Sequence, residues 1–137
     1  MGFFDSFAIS ASGLTAERLR LDVIANNLAN AETTRTPEGG PYRRQAVVFA
    51  QRLERAAGGR RGAGVEVAAI VEDAAPPRLE YRPDHPDADA RGYVAFPNVN
   101  VVNEMVDMVT AVRAYEANAT ALQAARQQAE AALDIGR

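Results

Sequence analysis

The sequence predicts an α+β protein in which long N- and C-terminal helices pack as an antiparallel coiled-coil-like pair, with a small β module inserted between them. Three observations lead to this class. Apolar residues recur at helical spacing in the last third of the chain, and a second helical stripe occupies its beginning. Short β-branched segments, separated by Gly and Pro, lie between the two stripes. We therefore expect three parts, residues 1–35, 36–100 and 101–137.

The N-terminal helix is predicted over residues 3–31. Its main apolar face includes Leu14, Leu21, Ile24 and Leu28. A smaller apolar stripe lies on the opposite side, so this helix has two sides to cover. Asn27 and Asn30 lie near its end, where amide groups suit hydrogen bonding across a packed interface, although a frayed helix end accounts for them equally well.

The β module is predicted to follow a turn rich in Pro and Gly at Thr36–Pro41. Its strands are expected at Gln45–Ala50, Gly64–Glu72, Leu79–Tyr81 and Gly92–Phe96. Between the first two, Ala56–Gly64 is rich in Gly and Arg, a composition typical of a mobile loop. A phosphate-binding patch on its arginines is disfavoured, because no aromatic residues interleave with them and the chain is acidic overall.

An acidic segment before the last strand invites a metal hypothesis. It contains Asp84, His85, Asp87 and Asp89, and carboxylates at this spacing followed by Gly can gather around calcium. The carboxylates needed to close such a loop are missing, so turn formation by the Asp and Pro residues is the favoured interpretation. His85 is the only histidine and has no nucleophile motif around it. We therefore expect no enzyme, no metal and no cofactor.

The C-terminal helix is predicted over Asn103–Ile135, with Asn98, Asn100 and Asn103 as possible N-caps. Its main apolar face includes Met105, Met108, Val112, Tyr115, Ala119 and Leu122. A helix of this length extends about 50 Å, which is more than a compact domain of this size requires. Apolar faces left uncovered by a two-helix pair usually mark an interaction surface, so we expect self-association or coassembly.

Overall composition excludes several classes of function. A net charge of −3 gives no strong electrostatic reason to bind nucleic acid or an anionic membrane. The absence of Cys excludes disulfides and thiol nucleophiles. No apolar run approaches the ~20 residues of a transmembrane helix, and the N-terminus has no secretory signal pattern. We expect no nucleic acid, no small-molecule substrate and no membrane insertion.

Two stretches carry a resemblance to a known family. Ser12–Thr34 resembles the N-terminal signature of the flagellar rod and hook axial proteins, in which a helix ends in an Asn-Leu-Ala-Asn run. His85–Leu122, with Ala-Asp-Ala-x-Gly-Tyr-Val followed by Pro-Asn-Val, is similar more specifically to the proximal rod members of that family. Tyr42–Phe49 also fits, so the resemblance covers nearly the whole chain.

The resemblance implies a structural subunit of the bacterial flagellar basal-body rod. Such proteins pass unfolded through the flagellar type III export apparatus without signal cleavage, and they polymerise through terminal helices that are disordered in the free subunit. The product is the proximal rod, which transmits torque across the periplasm. The implied partners are other rod proteins, copies of this chain, the export apparatus, and the MS ring with its rod junction protein.

The residues expected at the assembly interface lie on both terminal helices. They are Leu14, Leu21, Ile24, Asn27, Leu28, Asn30, Met105, Met108, Val112, Tyr115, Ala119 and Leu122. The family also carries a Phe-x-x-x-hydrophobic element read by the export gate, which occurs here as Phe49–Leu53 and as Phe3–Phe7. We favour Phe49 and Leu53, because the family's element lies some distance from the N-terminus; a role of Phe49 in a strand core is compatible with this.

An alternative function of a different class is a soluble helical-hairpin adaptor or chaperone-like module. Such a protein would offer its apolar helix faces to one partner and would remain a monomer or heterodimer at all concentrations. An enzyme built on Asp84, His85 and Asp87 is the third and least favoured hypothesis.

Overall fold

The chain forms a long helix at each end and a β module between them. The computed structural model describes residues 3–56 and 59–136. Its elements in chain order are α1 (Phe3–Ala29), β1 (Gln45–Ala56), β2 (Gly59–Glu72), β3 (Arg78–Tyr81), β4 (Tyr93–Phe96) and α2 (Val101–Ile135). This confirms the predicted α+β class with terminal helices.

The two helices pack against each other in antiparallel orientation. Near the end of α1, Asn27 bonds to Glu104 at the start of α2. Gly13 faces Asn118, whose side-chain atoms would lie 2.8–2.9 Å from a Cβ at that position. The two pairs are separated by 14 residues in each helix, which equals two heptads, so the register is that of an antiparallel coiled coil.

The seam between the helices follows the seven-residue repeat on both sides. Among the buried and half-buried positions of α2 are Glu104, Ala111, Asn118 and Ala125, and a second series Met108, Leu122 and Ala129. On α1, Leu14, Leu21 and Leu28 are half-buried at the same interval. The predicted apolar stripes therefore meet only in part: Met105 and Val112 lie outside this seam and are exposed.

The start of α2 is defined by a side-chain cap. Asn100 has extended backbone angles, and its side-chain oxygen accepts a hydrogen bond of 3.1 Å from the backbone N–H of Asn103. Of the three predicted caps, Asn100 is the one in use, so α2 begins two residues before the predicted Asn103. Glu104 in the first turn also suits the positive end of the helix dipole.

The predicted loop at Ala56–Gly64 is wrong, because the strands continue through it. β1 and β2 pair from Gln45↔Glu72 to Ala56↔Gly59, with irregularities between Val48 and Phe49 and between Gln51 and Leu53. Composition suggested a loop because Gly disfavours strands, but a partner strand supplies hydrogen bonds that do not depend on side chains. Residues 57 and 58 of the predicted loop lie outside the described residues.

The β1–β2 hairpin contacts α1 through Ser12. The Ser12 hydroxyl accepts a hydrogen bond of 3.1 Å from the backbone N–H of Val65 and donates one of 2.7 Å to the carbonyl of Ile9. Gly64, with φ of +117°, lies so close that a Cβ there would be 2.2 Å from the Ser12 hydroxyl. Gly64 is therefore required both by backbone conformation and by the close approach to the helix.

The second sheet joins β3 and β4 in antiparallel pairing, from Arg78↔Phe96 to Tyr81↔Tyr93. Its inner face contributes Val94 and Phe96 to the core. Among the described residues, the buried hydrophobic side chains are Ala16, Val23, Ile24, Ala31, Val94, Phe96, Val99 and Ala111. Four of them, Ala16, Val23, Ile24 and Ala111, belong to the two helices. No helix in the described part of the chain has an apolar stretch that could cross a membrane.

Candidate assembly surfaces

A buried polar cluster joins both helices to the hairpin; we call it the Asn27 hub. It consists of Asn27, Tyr42, Arg44, Gln45 and Glu104. The Asn27 amide donates to the Gln45 carbonyl at 2.8 Å and to Glu104 Oε2 at 3.1 Å. Its Oδ1 accepts from the Tyr42 hydroxyl and from the Gln45 N–H, both at 2.9 Å. All four hydrogen-bonding positions of this side chain are occupied, although it is only 1% exposed.

Glu104 is the charged member of the hub and is also 1% exposed. The Arg44 Nε donates to its second carboxylate oxygen, while an Arg44 Nη lies 3.9 Å from Asp107 on the next turn of α2. A carboxylate removed from water in this way is tolerated only when its partners replace the lost hydration. Arg44 and Asn27 supply those partners.

Tyr42 donates to Asn27 beside this carboxylate. Burial raises the pKa of the Tyr42 hydroxyl above its ordinary value, and the negative charges of Glu104 and Glu72 raise it further. The hydroxyl therefore keeps its proton and stays a donor throughout the neutral range. The hydrogen bond to Asn27 Oδ1 depends on that proton.

The acidic segment forms a turn that is tied to the end of the α1 region. Asp87 accepts a hydrogen bond of 2.8 Å from the Thr34 hydroxyl and one from Arg35. Asp89 Oδ1 accepts from the backbone N–H groups of Arg91 and Tyr93 at 2.8 and 2.9 Å. The Asp87 and Asp89 carboxylates thus stabilise the turn by hydrogen bonding. Within residues 3–56 and 59–136 there is no group of three side chains that could hold a metal ion.

His85 takes part in the same turn. Its Nδ1 accepts a hydrogen bond of 3.1 Å from the backbone N–H of Asp87, and its ring meets the Phe96 ring edge to face with centroids 6.1 Å apart. The arrangement orients the segment before β4 and brings no hydroxyl nucleophile to the imidazole among the hydrogen bonds of the described residues.

An apolar surface lies on α2 opposite the helix seam; we call it the outer α2 face. It is formed by Val101, Val102, Met105, Val106, Val109 and Val112. These side chains occupy the first three turns, and Val102, Val106 and Val109 are 68, 59 and 54% exposed. Six neighbouring apolar side chains in water are unusual for a monomeric surface and mark an interaction site.

The twelve residues predicted at the assembly interface divide between the interior and the surface. Ile24 and Asn27 are buried within the chain. The half-buried ones are Leu14, Leu21, Leu28, Asn30, Met108, Ala119 and Leu122. Met105, Val112 and Tyr115 are exposed at 54, 38 and 38%. The exposed three remain available to a second molecule, whereas the others also belong to the contacts within one chain.

The predicted export element lies on β1. Phe49 pairs with Val67 and Leu53 pairs with Gly62, with the second strand irregularity between them. Their side chains are 37 and 45% exposed. Both are thus partly accessible in the folded chain, and both are fully accessible before folding.

Sequence reasoning missed the residues that complete the hub. Tyr42, Arg44 and Glu104 were not predicted as site residues, although Glu104 begins a seven-residue series that continues with the uncharged Ala111, Asn118 and Ala125. An acid at a heptad position among alanines and leucines was the available signal. The Gly13–Asn118 approach had no comparable signal, because it depends on the relative register of two distant helices.

The two ends of the chain match family models of flagellar proteins, and the whole chain matches individual relatives. Residues 7–35 match the family model described as flagella basal body rod protein, and residues 90–135 match the flagellar basal body rod FlgEFG protein C-terminal family. The flagellar basal-body rod protein FlgC of Borreliella burgdorferi is 48% identical over 98% of each chain. FlgC proteins of Escherichia coli O6:H1 and Bacillus subtilis are 44 and 43% identical over 100% of both chains.

Proposed function

Since this chain belongs to the FlgC family of flagellar basal-body rod proteins, we propose that it is a structural rod subunit that polymerises through its terminal helices. The product is the proximal rod, which transmits torque across the periplasm. The observation that carries the proposal is the outer α2 face, an apolar surface with no cover within the described chain. Removing apolar surface from water is favourable by about 25 cal/mol per Å², and this gain opposes the entropic cost of association.

The proposed work of the subunit is mechanical and involves no bond-making chemistry. A load carried by a rod has to pass from one subunit to the next through many contacts, and it has to pass through each subunit without deforming it. The outer α2 face supplies apolar contact between subunits. The Asn27 hub, which connects α1, β1 and α2 through hydrogen bonds, supports stiffness within each subunit.

We assign the predicted parts accordingly. Residues 1–35 and 101–137 form the axial rod-core domain, and the β-rich module within 36–100 lies outside it. The partners in this scheme are copies of this chain, other rod proteins, and the MS ring with its rod junction protein. Tyr115, which is 38% exposed, extends the apolar contact surface beside the outer α2 face.

The same scheme includes passage through the flagellar type III export apparatus without a cleaved signal peptide. Phe49 and Leu53 form the element that we propose the export gate reads. Recognition takes place before the hairpin forms, so the partial burial of both side chains in the folded chain is compatible with it. After export, the protein is located in the basal-body rod.

The decisive experiment introduces a charge into the outer α2 face. Val109→Asp should leave the subunit folded, because the native side chain is 54% exposed and faces away from the seam. Rod assembly should fail, since the aspartate would be buried without a partner at the subunit contact. The measurements are circular dichroism of the purified variant, its amount in the exported fraction, and recovery of basal bodies from cells that carry only the variant.

The matched control is Gln123→Asp, an equally charged change at an exposed position further along α2, beyond the apolar surface. We expect the control to export and assemble normally. Normal motility and intact rods in the Val109→Asp strain would contradict the proposed polymerisation surface.

A further inference from the structure

We infer that the outer α2 face of one copy packs against an exposed stripe of α1 on a second copy, with the two helices antiparallel. Such a contact presupposes the proposed function, and it specifies which surface of the neighbouring subunit covers the apolar face. We call the stripe the outer α1 stripe. It is formed by Arg18, Asp22, Ala25 and Ala29.

Exposure and helical periodicity define the outer α1 stripe. Its four side chains are all exposed, and steps of four, three and four residues keep them on one side of the helix. Asn27, whose amide contacts both α2 and the hairpin, lies on the opposite side. The stripe therefore faces outward and offers two charged side chains followed by two small ones.

The outer α2 face continues into a second pair of charges. Arg113 and Glu116 follow Val106 and Val109 at steps of three, four and three residues, so the four side chains share one side of α2. All four are exposed. Read from the start of the helix, this line consists of two apolar residues, a cation and an anion.

Neither pair of charges is used within the chain. In the part of the chain that the structure describes, no ion pair involves the two charges of the outer α1 stripe, although they are four residues apart on one helix. The same holds there for Arg113 and Glu116. These outward charges are therefore available to another molecule.

The charges complement each other when the two helices run in opposite directions. Arg18 then lies level with Glu116, and Asp22 lies level with Arg113. Both contacts join opposite charges, and their levels agree within one residue, about 1.5 Å along the axis. A parallel alignment of Asp22 with Arg113 would place Arg18 against Val109, and burying a charge against an apolar side chain is unfavourable.

The antiparallel alignment also brings small side chains to the valines. Ala25 lies level with Val109, and Ala29 lies level with Val106. Alanine lets two helix axes approach closely, so each valine can enter the shallow space beside it. The two valines, which are 54 and 59% exposed in one chain, are thereby covered. The whole contact extends about 15 Å along the helices.

The contact joins different faces of the two copies. Two outer α1 stripes could also pair with each other, Arg18 beside Asp22, but that arrangement covers no valine of α2 and closes as a dimer. When the outer α1 stripe meets the outer α2 face, each copy keeps one face for a further copy, so a polymer grows. The contact requires no ordered helix in the free subunit, because both faces can form on incorporation.

Charge reversal tests the contact in cells that carry the full chain. One double variant is Arg18→Glu with Asp22→Arg, and the other is Arg113→Glu with Glu116→Arg. Each sets like charges against each other in neighbouring copies, so the recovery of basal bodies should fall about tenfold or more. The quadruple variant restores both attractions, and its recovery should return to within about twofold of the wild type.

The same variants distinguish the two possible pairings. If α1 pairs with α1, the variant with Arg18→Glu and Asp22→Arg still complements itself, so its normal assembly would overturn the inference. A quadruple variant that recovers no better than the double variants would overturn it as well. The exported amount of each variant is measured alongside, and where export falls, cross-linking decides.

Cross-linking in isolated basal bodies gives a readout that does not depend on charge. The chain has no Cys, so Asn26→Cys and Thr110→Cys introduce two thiols at exposed positions beside the proposed contact. A short bismaleimide should join them between copies and give a ladder of multimers. The matched control pairs Asn26→Cys with Gln127→Cys, an exposed position about 25 Å further along α2, and should give monomers.

The two sets of variants separate this contact from the proposed function. Intact rods in the Val109→Asp strain would contradict the polymerisation surface itself. Failed assembly of Val109→Asp, combined with monomers only from the Asn26→Cys and Thr110→Cys chain, would leave that surface in place. It would overturn only the assignment of the surface to α1 of a second copy.

Discussion

At the scale of single residues, most of the specific contacts between distant segments are made by polar side chains that bond to backbone groups or to one another. Asn27 bonds both backbone groups of Gln45, since it donates to the Gln45 carbonyl and accepts from its N–H. Asp87 accepts hydrogen bonds from the side chains of Thr34 and Arg35, and so connects the turn before β4 to the segment after α1. Such bonds are directional, so they fix positions that apolar contacts leave free.

Asp87 leads to a prediction for acid stability. The hydrogen bond from Thr34 lowers the pKa of the Asp87 carboxyl most, and the charges of Arg35 and His85 act in the same direction, while burial opposes them. A folded-state pKa below the unfolded value stabilises the protein above the unfolded pKa, and this contribution is lost as the pH falls through the folded value. Asp87→Asn should therefore lower the urea midpoint at pH 7, and the two proteins should converge below about pH 4.

The measurement is urea unfolding of both proteins between pH 2.5 and 7. The control is Asp84→Asn, a change at an exposed carboxylate of the same turn. This variant retains Asp87, so its urea midpoint should fall at low pH as that of the wild type does. A constant difference between wild type and Asp87→Asn down to the lowest pH would argue against the assigned role of this carboxylate.

At the scale of elements, the sequence was most informative where one periodicity extended over many residues. Both helices and the cores of all the described strands were predicted, because helical stripes and β-branched runs are local patterns. The hairpin tip was mispredicted because Gly and Arg carry no strand preference of their own, and its order comes from pairing such as Arg55↔Arg60. The seam between α1 and α2 was predicted only in part. The apolar pattern of an isolated helix cannot distinguish the face that packs inward from the face that stays exposed when both faces carry valines and alanines.

The same ambiguity explains why the candidate surfaces were assigned incompletely. Val106 and Val109 were not among the predicted interface residues, and the structure leaves them among the most exposed apolar side chains in the first turns of α2. Glu104 was not predicted as a site residue. Its role as the charged centre of the hub requires Arg44 and Asn27, which approach it from 60 and 77 residues away in the chain.

Strand β1 carries a prediction that separates export from folding. Replacing Phe49 and Leu53 by Ala should reduce the exported amount several-fold, because the proposed gate element would lose both apolar groups. The control is the pair Val48→Ala and Ile70→Ala, which removes exposed apolar side chains from the same hairpin and keeps the element. The readout is the amount of subunit in the exported fraction relative to the amount in the cell. Equal export of the two variants would count against a gate function for Phe49 and Leu53.

At the scale of the whole molecule, the core is unevenly distributed. Among the described residues, the buried hydrophobic side chains of the helices lie at Ala16, Val23 and Ile24 on α1 and at Ala111 on α2. The opposite end of the pair has half-buried alanines and a leucine, and Leu133 and Ile135 are 72 and 87% exposed. Local stability follows the density of buried apolar contacts. The end of the helix pair that contains the C-terminus of α1 and the N-terminus of α2 should therefore be the more stable end, and the opposite end should open more readily.

Amide hydrogen exchange on the free subunit tests this asymmetry. We expect protection around Val23–Ala31, Tyr93–Val99 and Glu104–Ala111, and rapid exchange in the first turns of α1 and after Asn118 on α2. The family resemblance predicts disorder over both terminal helices, whereas burial predicts protection near the end of α1 and the start of α2. These two segments are where the predictions differ. Rapid exchange throughout α1 and α2 would favour the family expectation, and uniform protection along α2 would show that the core extends further than its buried side chains indicate.

If the chain is exported unfolded through a narrow channel, as proposed above, the antiparallel pairing of its helices also sets an order of events. The two partners of the central polar contact are 77 residues apart, and they lie near opposite ends of the sequence. Whichever terminus leads, the hairpin can close while part of the chain is still in transit, but the helices can meet only when most of the chain has emerged. A subunit halted midway therefore lacks its paired helices, and completion of passage becomes the moment at which it gains the shape required for incorporation.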